Sequence, residues 1–371
     1  MDFRFSEQER AVQDLAKAIF KDLATPERLK AAEAREDAMD VELWQALAKA
    51  EILGTAVGED IGGCGFGFVA LCLLLEQAGR RVVRAPLIPT LVGGALAIDR
   101  FGTDEQRRRL LVPMLRGERF FAAALAEVGA EPGMAPATTA VRDKGGWRLE
   151  GEKLAASAVQ IAHRVLVSAT TGPGQVGLFL VDPAAKRVVL TAEQATDGEP
   201  VWDLSLQGVL VEEADVLGDP EQGGDAVRWV RERVAVAMCA FQLGLASEAL
   251  VMTARYATER HQFERPIATF QGVSQRTGDA YIDVEAMRLT TWQAAWRLAE
   301  GLEASRELEI ASYWAAEGGH RVTAAAQHIH GGMGFDKDYP LYRYTLRAKR
   351  HELALGGASA ALARLGRRLA G

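Results

Sequence analysis

Arg260, Phe263 and Gln271 lie close together in the stretch RHQFERPIATFQGVSQRTGD, Arg260 to Asp279. A cation, an aromatic ring and an amide in one short segment can grip a large, flat, anionic ligand, because a guanidinium presents a fork of donors to phosphate or carboxylate oxygens. The same residues also suit a plain turn between two helices. Pro266 would then sit in the first turn of the second helix, where a proline costs nothing. Arg260 would be a solvated cation facing the C-terminal end of the first. On these residues alone both readings stay open.

Other candidates are weaker. GEDIGGCGFGF, Gly58 to Phe68, has the glycines of a phosphate loop, but no strand precedes it and its spacing is not GxGxxG. It reads as a tight loop before a helix. The histidines include no HExxH pair, and His328 and His330 are spaced too closely to share a helix face, so they read as packing or surface residues. Cys64, Cys72 and Cys239 are few, odd in number and unpatterned. They fit a reducing cytoplasm, with neither a disulfide framework nor a zinc site, and no metal site is expected. Gly331 to Gly334 (GGMG) reads most simply as a helix stop.

Three textures along the chain would position these residues. From Phe5 to about Arg119 apolar residues recur at helical spacing, starting at the capped segment Ser6-Glu-Gln-Glu. From Phe120 to about Gly218 short, β-branched, alternating runs are separated by Gly145-Gly146, Gly172-Pro-Gly and Asp182-Pro183. Six or seven strands at that spacing predict a small antiparallel barrel or sandwich. From about Glu221 onward the pattern is helical again: Ala226 to Arg260, Phe270 to Ala299, Leu302 to His330 and Tyr342 to Leu369, four helices that make a bundle. The expected fold class is therefore α+β, with an N-terminal helical domain (1–119), a middle β-domain (120–218) and a C-terminal four-helix bundle (219–371).

The chain has 371 residues, nearly half of them hydrophobic, and a formal net charge of −7. That is ample core for two or three domains. The acidic balance, with no long basic run before the C-terminus, makes duplex nucleic acid an unexpected partner. The charged N-terminus has no signal-peptide core, and no apolar run reaches the roughly 18 residues of a membrane span. A cytoplasmic location is expected.

The order of elements, with four motifs in place, resembles the acyl-CoA dehydrogenase family over essentially the whole chain. The motifs are IGGCGFGFVALCLLLEQAGR (Ile61 to Arg80), GEKLAASA (Gly151 to Ala158), RHQFERPIATFQ, and QHIHGGMGFDKDYPLYRY (Gln327 to Tyr344). The last two together are the specific combination. The family binds FAD between its β-domain and bundle and uses a neighbouring subunit for part of the site. The resemblance implies that Arg260 pairs with the FAD pyrophosphate and that Phe263 and Gln271 support the adenine end. It implies that Gln327 and Gly331 reach the cofactor of a partner subunit, the glycine letting backbone approach closely.

The family removes an acyl-CoA α-proton with a carboxylate while the flavin takes a β-hydride. Hydrogen bonds to the thioester carbonyl must acidify that proton, and burial should make the carboxylate a stronger base. Many members carry the base in a Tyr-Glu-Gly-Thr stretch after the double-glycine block. Here Leu355 stands in the glutamate's place, before Gly356, and Glu352 lies on a different helix face. A second group within the family carries the base on the first long bundle helix, directly before an arginine, which matches Glu232-Arg233. On its own residues Glu232 reads as a helix-face charge paired with Arg228 or Arg233. The resemblance implies instead that it is the base, with Arg233 near the thioester and the backbone N–H of Leu355 left to donate to the thioester carbonyl.

The β-domain departs from the family twice. Ala126 replaces a threonine expected beside the flavin, and Ala155 replaces a tryptophan, while Ser157 keeps a hydroxyl. The expected function is FAD-dependent conversion of an acyl-CoA to its 2,3-enoyl-CoA, with electrons passed to an electron-transfer flavoprotein, in a homotetramer or an α2β2 heterotetramer. Two alternatives stand beside it. One is a non-catalytic or half-catalytic subunit of a heteromeric dehydrogenase. The other is an acyl-CoA oxidase or flavin monooxygenase on the same scaffold.

Overall fold

A computed structural model describes residues 4–129 and 134–370. Along the chain come α1 (Glu7–Leu23), α2 (Pro26–Glu33), α3 (Val41–Lys49), α4 (Gly67–Arg80), a π-helical stretch Ile88–Ala95 that runs into α5 (Leu96–Phe101), and α6 (Asp104–Leu115). The strands follow: β1 (Phe121–Ala124), β2 (Thr139–Asp143), β3 (Gly146–Ser157), β4 (Arg164–Gly172), β5 (Gln175–Val181), β6 (Val188–Gln194), β7 (Pro200–Glu212) and β8 (Val216–Leu217). Then come α7 (Gly224–Glu259), the short strands β9 (His261–Gln262) and β10 (Arg265–Pro266), α8 (Gln271–Ala299), α9 (Ser305–His330), α10 (Leu341–Ala354) and α11 (Gly357–Leu369). This is the expected order of N-terminal helices, central sheet and C-terminal bundle.

Contacts divide the chain into two compact units. One contains Lys30–Gly67 and Arg84–Val234; the other contains Met1–Leu29, Phe68–Val83 and Ala235–Gly371. The first unit is built on an eight-stranded sheet in the order β6-β7-β3-β2-β4-β5-β8, with β1 added on β4. Most neighbours are antiparallel, but β1 and β2 each pair with β4 in parallel. The sheet is therefore mixed, because β1 and β2 reach β4 through connections longer than hairpin turns. Alternation buries one set of side chains, including Trp147, Leu149, Val165, Val167, Phe179 and Val181. The β3–β7 ladder slips between Lys153 and Ala156, and Ala155 sits in that bulge with φ +50°. The helix α6 starts with a reciprocal cap, Thr103 and Gln106 each bonding the other's backbone N–H.

The second unit is helical. Ser6 and Glu9 form the same reciprocal cap on α1. The helices α4 and α7 cross at two glycines. A Cβ on Gly79 would lie 2.0 Å from the Phe241 carbonyl oxygen, and one on Gly244 would lie 2.0 Å from that of Glu76. Only glycine permits so close a crossing. Leu243, Val284, Met287 and Val322 form the core between α7, α8 and α9. The last bundle helix, expected to be continuous from Tyr342 to Leu369, is two helices. Gly356 and Gly357 both adopt positive φ, +85° and +78°, and break it after Leu355. By length and composition α7 could cross a membrane, but 67 % of its most apolar window is buried within the protein, as in a core helix.

Candidate functional site

In the sheet-containing unit the relevant residues gather where β1 ends. Arg231, in the early turns of α7, donates from Nη2 to the Leu125 carbonyl at 2.6 Å. The next carbonyl, of Ala126, accepts from the Leu154 N–H at 2.9 Å. The Glu127 carboxylate then takes four donors: the Lys153 ammonium, the Thr138 hydroxyl at 2.7 Å, and the backbone N–H groups of Ala137 (2.5 Å) and Thr138 (3.1 Å). Lys153 is fully buried, with Ser168 Oγ as a second acceptor at 3.4 Å. Burial works to raise the Glu127 pKa, but its four donors outweigh this and hold the group at about 2. Burial lowers Lys153 to about 8, with Glu127 opposing the shift. The network leaves the Ala126 side chain exposed at the end of β1. On β3, Ala155 is also exposed, its N–H held by Asp203 Oδ1 at 2.8 Å, and Ser157 closes the strand opposite Val201.

Glu232 lies half-buried on α7 and Arg233 is buried. Two arginines near Glu232 have contacts of their own. Arg228 bonds Asp225 at 2.9 Å, and the Arg233 guanidinium lies 3.7 Å from the Trp229 ring centroid. Trp229 in turn sets its ring edge-on to Phe101 at 5.3 Å. Thus the end of β1, Leu154 on β3 and Arg231 on α7 are joined directly, and Ser157 and Glu232-Arg233 follow close behind these anchors along their own elements.

In the helical unit Arg260, Phe263 and Gln271 share one loop, which is not a simple helix–helix turn. The strands β9 and β10 pair as a hairpin, and Pro266 belongs to β10 rather than to the first turn of α8. The turn residues Phe263 and Glu264 have φ +50° and +64°. A two-residue hairpin loop of this twist needs positive φ at both positions, which normally selects glycine or asparagine. The Phe263 ring is 88 % exposed, and the Arg265 guanidinium lies over the Phe270 ring. The exposed Arg260 side chain forms no ion pair among the described residues, and Gln271 is exposed at the start of α8.

Gln327 is turned into its own chain. Its Nε2 donates to the Gly334 carbonyl at 3.0 Å and to Thr345 Oγ1 at 3.1 Å, and its buried Oε1 has no hydrogen-bond partner among the described residues. Gly331 ends α9 with φ +59°, and a Cβ there or on Gly332 would meet nothing within 4 Å. His330 is a satisfied core histidine. Its Nδ1 faces the Ala326 carbonyl, its Nε2 faces the Tyr339 hydroxyl, and its ring stacks on Tyr256. His328 is exposed. Leu355, 8 % exposed, caps α10. Its backbone N–H, expected to be available to a thioester carbonyl, instead donates to His351 O at 3.0 Å, because the helical bond pattern persists to the cap. Glu352 is ion-paired with Lys349.

Two family models match the chain: "Acyl-CoA dehydrogenase, N-terminal domain" over residues 6–118, and "Acyl-CoA dehydrogenase, C-terminal domain" over residues 222–370. The chain belongs to the acyl-CoA dehydrogenase family. It is 39 % identical to acyl-CoA dehydrogenase FadE27 of Mycobacterium tuberculosis, covering 100 % of this chain and 99 % of the relative. Among solved structures it is similar to a variant of the Tcur3481-Tcur3483 steroid ACAD, with 44 % identity, TM-score 0.91 and 98 % of each chain covered. It is also similar to a chain of the ChsE4-ChsE5 complex from Mycobacterium tuberculosis, with 38 % identity, TM-score 0.93, and 100 % of this chain and 99 % of that one covered.

The chain is accordingly an oxidoreductase of the FAD-dependent acyl-CoA dehydrogenases. Its residues fit that cofactor. In the helical unit the Arg260 guanidinium is exposed and a Cβ at Gly331 or Gly332 would meet nothing within 4 Å; in the sheet-containing unit Ala126 and Ala155 are exposed and small. Two residues of the site region escaped the sequence reading, Lys153 and Arg231. Lys153 lies inside the quoted GEKLAASA motif, and a lysine alternating with apolar residues on a strand is a detectable sign of a buried charge that needs a partner. Arg231 carries no comparable sign in one sequence.

Proposed function

We propose that this acyl-CoA dehydrogenase oxidises a steroid-bearing acyl-CoA thioester at its α,β carbons, with Glu232 as the base. Leu355 is the observation that carries the reading. The helix stop where many members place the carboxylate holds a buried leucine, while Glu232 stands on α7 beside the anchored end of β1. Bound FAD supplies the acceptor for the β-hydride. Glu232 takes the α-proton and Arg233 lies near the thioester. Arg260 holds the pyrophosphate, Phe263 and Gln271 support the adenine end, and Ala126 and Ser157 lie along the flavin. Gln327 and Gly331 serve the cofactor of a neighbouring subunit through the backbone of the GGMG turn, since the Gln327 amide is engaged within its own chain. The steroid assignment rests on the Tcur3481-Tcur3483 steroid ACAD and on the small exposed side chain at Ala155, while Ala156 is buried in the sheet core. Electrons pass on to an electron-transfer flavoprotein, and the protein works in a reducing cytoplasm, where Cys64, Cys72 and Cys239 stay unbridged.

A second reading is favoured by a specific observation. Both solved relatives named above, Tcur3481-Tcur3483 and ChsE4-ChsE5, join two differently named proteins. Together with Ala126 and Ala155 this supports an α2β2 assembly in which this chain shares the flavin or the base with an unlike partner. One experiment addresses both readings. The chain is purified alone and with any co-expressed partner, and flavin reduction by a CoA thioester of a steroid side-chain acid is followed without oxygen. The first reading expects a yellow protein that bleaches, and a Glu232→Gln variant that keeps FAD but does not bleach. A colourless chain that gains flavin only with a second chain supports the second reading. Bleaching at the normal rate in Glu232→Gln excludes the base assignment.

A further inference from the structure

We infer that Arg231 is a positioning residue, which fixes the turn of α7 that carries Glu232 against the strand end that carries Ala126; this rests on the assignment of Glu232 as base. Residues 125–127 directly follow β1. Each of these three consecutive residues is held by a different partner: Leu125 by the Arg231 guanidinium, Ala126 by the Leu154 backbone, and Glu127 by the buried Lys153 with Thr138 and Ala137. The segment cannot shift along β3 without breaking several of these bonds, or away from α7 without breaking the Arg231–Leu125 bond.

The helix side is held equally closely. Trp229 and Arg233 lie four residues apart, so they share one face of α7, and they are stacked on one another with Phe101 against Trp229. Arg231 lies about 200° around the helix from Trp229 and is bonded on the opposite side. A turn held on opposite faces cannot rotate about its own axis. Glu232 sits in that turn, so its direction is set by the two clamps.

The residue type bears on function. Arg231 is largely withdrawn from solvent, which lowers its pKa, and the charge that opposes this shift is Glu127, already bonded to Lys153. Two cations share one carboxylate. A methionine would fill the space without the desolvation of a second cation. What arginine adds is a directed bond to one carbonyl, and that bond relates the base-bearing turn to the backbone beside the flavin.

The test uses the FAD-loaded protein, with its partner chain if one co-purifies, and the CoA thioester of a steroid side-chain acid as probe. Limiting flavin-reduction rate, thioester Kd, FAD content and the visible flavin spectrum are measured for wild type, Arg231→Met, Arg231→Lys and Glu232→Gln. In Arg231→Met the limiting rate is expected to fall ~10²-fold, the scale of a displacement near 1 Å, while Kd and FAD content stay within about twofold. Arg231→Lys falls between the two, since an ammonium still donates to the carbonyl from a shorter reach. A wild-type limiting rate in Arg231→Met overturns the inference. So does a loss that matches FAD loss and is not relieved in Arg231→Lys. Should Arg231→Met not fold, Arg231→Lys decides: a depressed limiting rate at unchanged Kd supports the inference, and a wild-type rate overturns it. Glu232→Gln separates the two claims. If it is inactive while Arg231→Met is normal, only the positioning role fails; if it reduces flavin normally, the base assignment fails.

Discussion

Removing the Glu127 carboxylate should be more damaging than removing the lysine it binds. In Lys153→Met, Glu127 keeps the Thr138 hydroxyl and the N–H groups of Ala137 and Thr138, so its charge stays solvated by three donors. In Glu127→Gln, Lys153 loses its opposing charge and keeps only neutral acceptors, the amide oxygen and Ser168 Oγ at 3.4 Å, inside a core where it has no exposure. Breaking a buried pair from one side costs about 3–5 kcal/mol. The lysine escapes by losing its proton, which, against its wild-type folded pKa of about 8, adds about 1.4 kcal/mol at pH 7 at 1.36 kcal/mol per pH unit. Glu127→Gln should therefore lose about 3–5 kcal/mol and Lys153→Met about 2 kcal/mol. At roughly 2.1 cal/mol/K per residue, a loss of about 4 kcal/mol lowers the melting temperature by about 5 °C if the whole chain melts together.

The pH dependence makes the argument specific. In the wild type Lys153 has a folded pKa of about 8, below its unfolded value of 10.5. Between those values the unfolded chain binds the extra proton, so stability rises with pH. In Glu127→Gln the folded amine is already neutral at pH 7, so the rise begins lower. The difference between the two proteins should narrow by about 1.4 kcal/mol from pH 7 to 8 and then stay level. At the acid end Glu127, held at about 2 against a model value of 4.5, gives the wild type stability that is full above pH 4.5 and lost as pH falls through 2. Urea unfolding followed by tryptophan fluorescence at pH 6, 7, 8 and 9 measures this. A Glu127→Gln variant no less stable than Lys153→Met, or a difference independent of pH between 7 and 8, would refute the reasoning.

Glu232→Gln should lower the rate of flavin reduction by about 10²–10⁴-fold, the usual contribution of a general base, with FAD content unchanged in the absorption spectrum. Arg260→Met should weaken FAD binding by about 1.5–3 kcal/mol, the worth of a hydrogen bond to a charged group, read as a rise in Kd of roughly ten- to a hundredfold by fluorescence titration of the apoprotein. Glu264→Gly should raise stability by about 1 kcal/mol in the melting curve, because its φ of +64° costs a residue with a Cβ about that much. Gly244→Ala should do the opposite: a Cβ only 2.0 Å from the Glu76 carbonyl oxygen forces α4 and α7 apart, at about 1–3 kcal/mol.

The sequence by itself determined the order of elements and the family. Helical and alternating periodicities are local properties, so the N-terminal helices, the strands and the long bundle helices were legible from spacing, as were the caps at Ser6 and the loop before α4. The absence of a carboxylate at Leu355 was legible too, because it depends only on counting from the GGMG block. Tertiary structure decided the rest. Whether consecutive strands pair in parallel depends on partners far away in sequence, so the β1–β4 and β2–β4 pairings left no local mark. Phe263 and Glu264 gave no glycine or asparagine to signal a hairpin, since the strand pairing imposes their positive φ. The break at Gly356 and Gly357 lay in plain sight but read as helix, because two glycines end a helix only if the backbone turns left-handed there. The Leu355 N–H was committed by the helix that precedes it. Lys153 and Arg231 became part of the site only when folding brought Glu127 and the Leu125 carbonyl to them, because a buried charge is defined by the partners that enclose it.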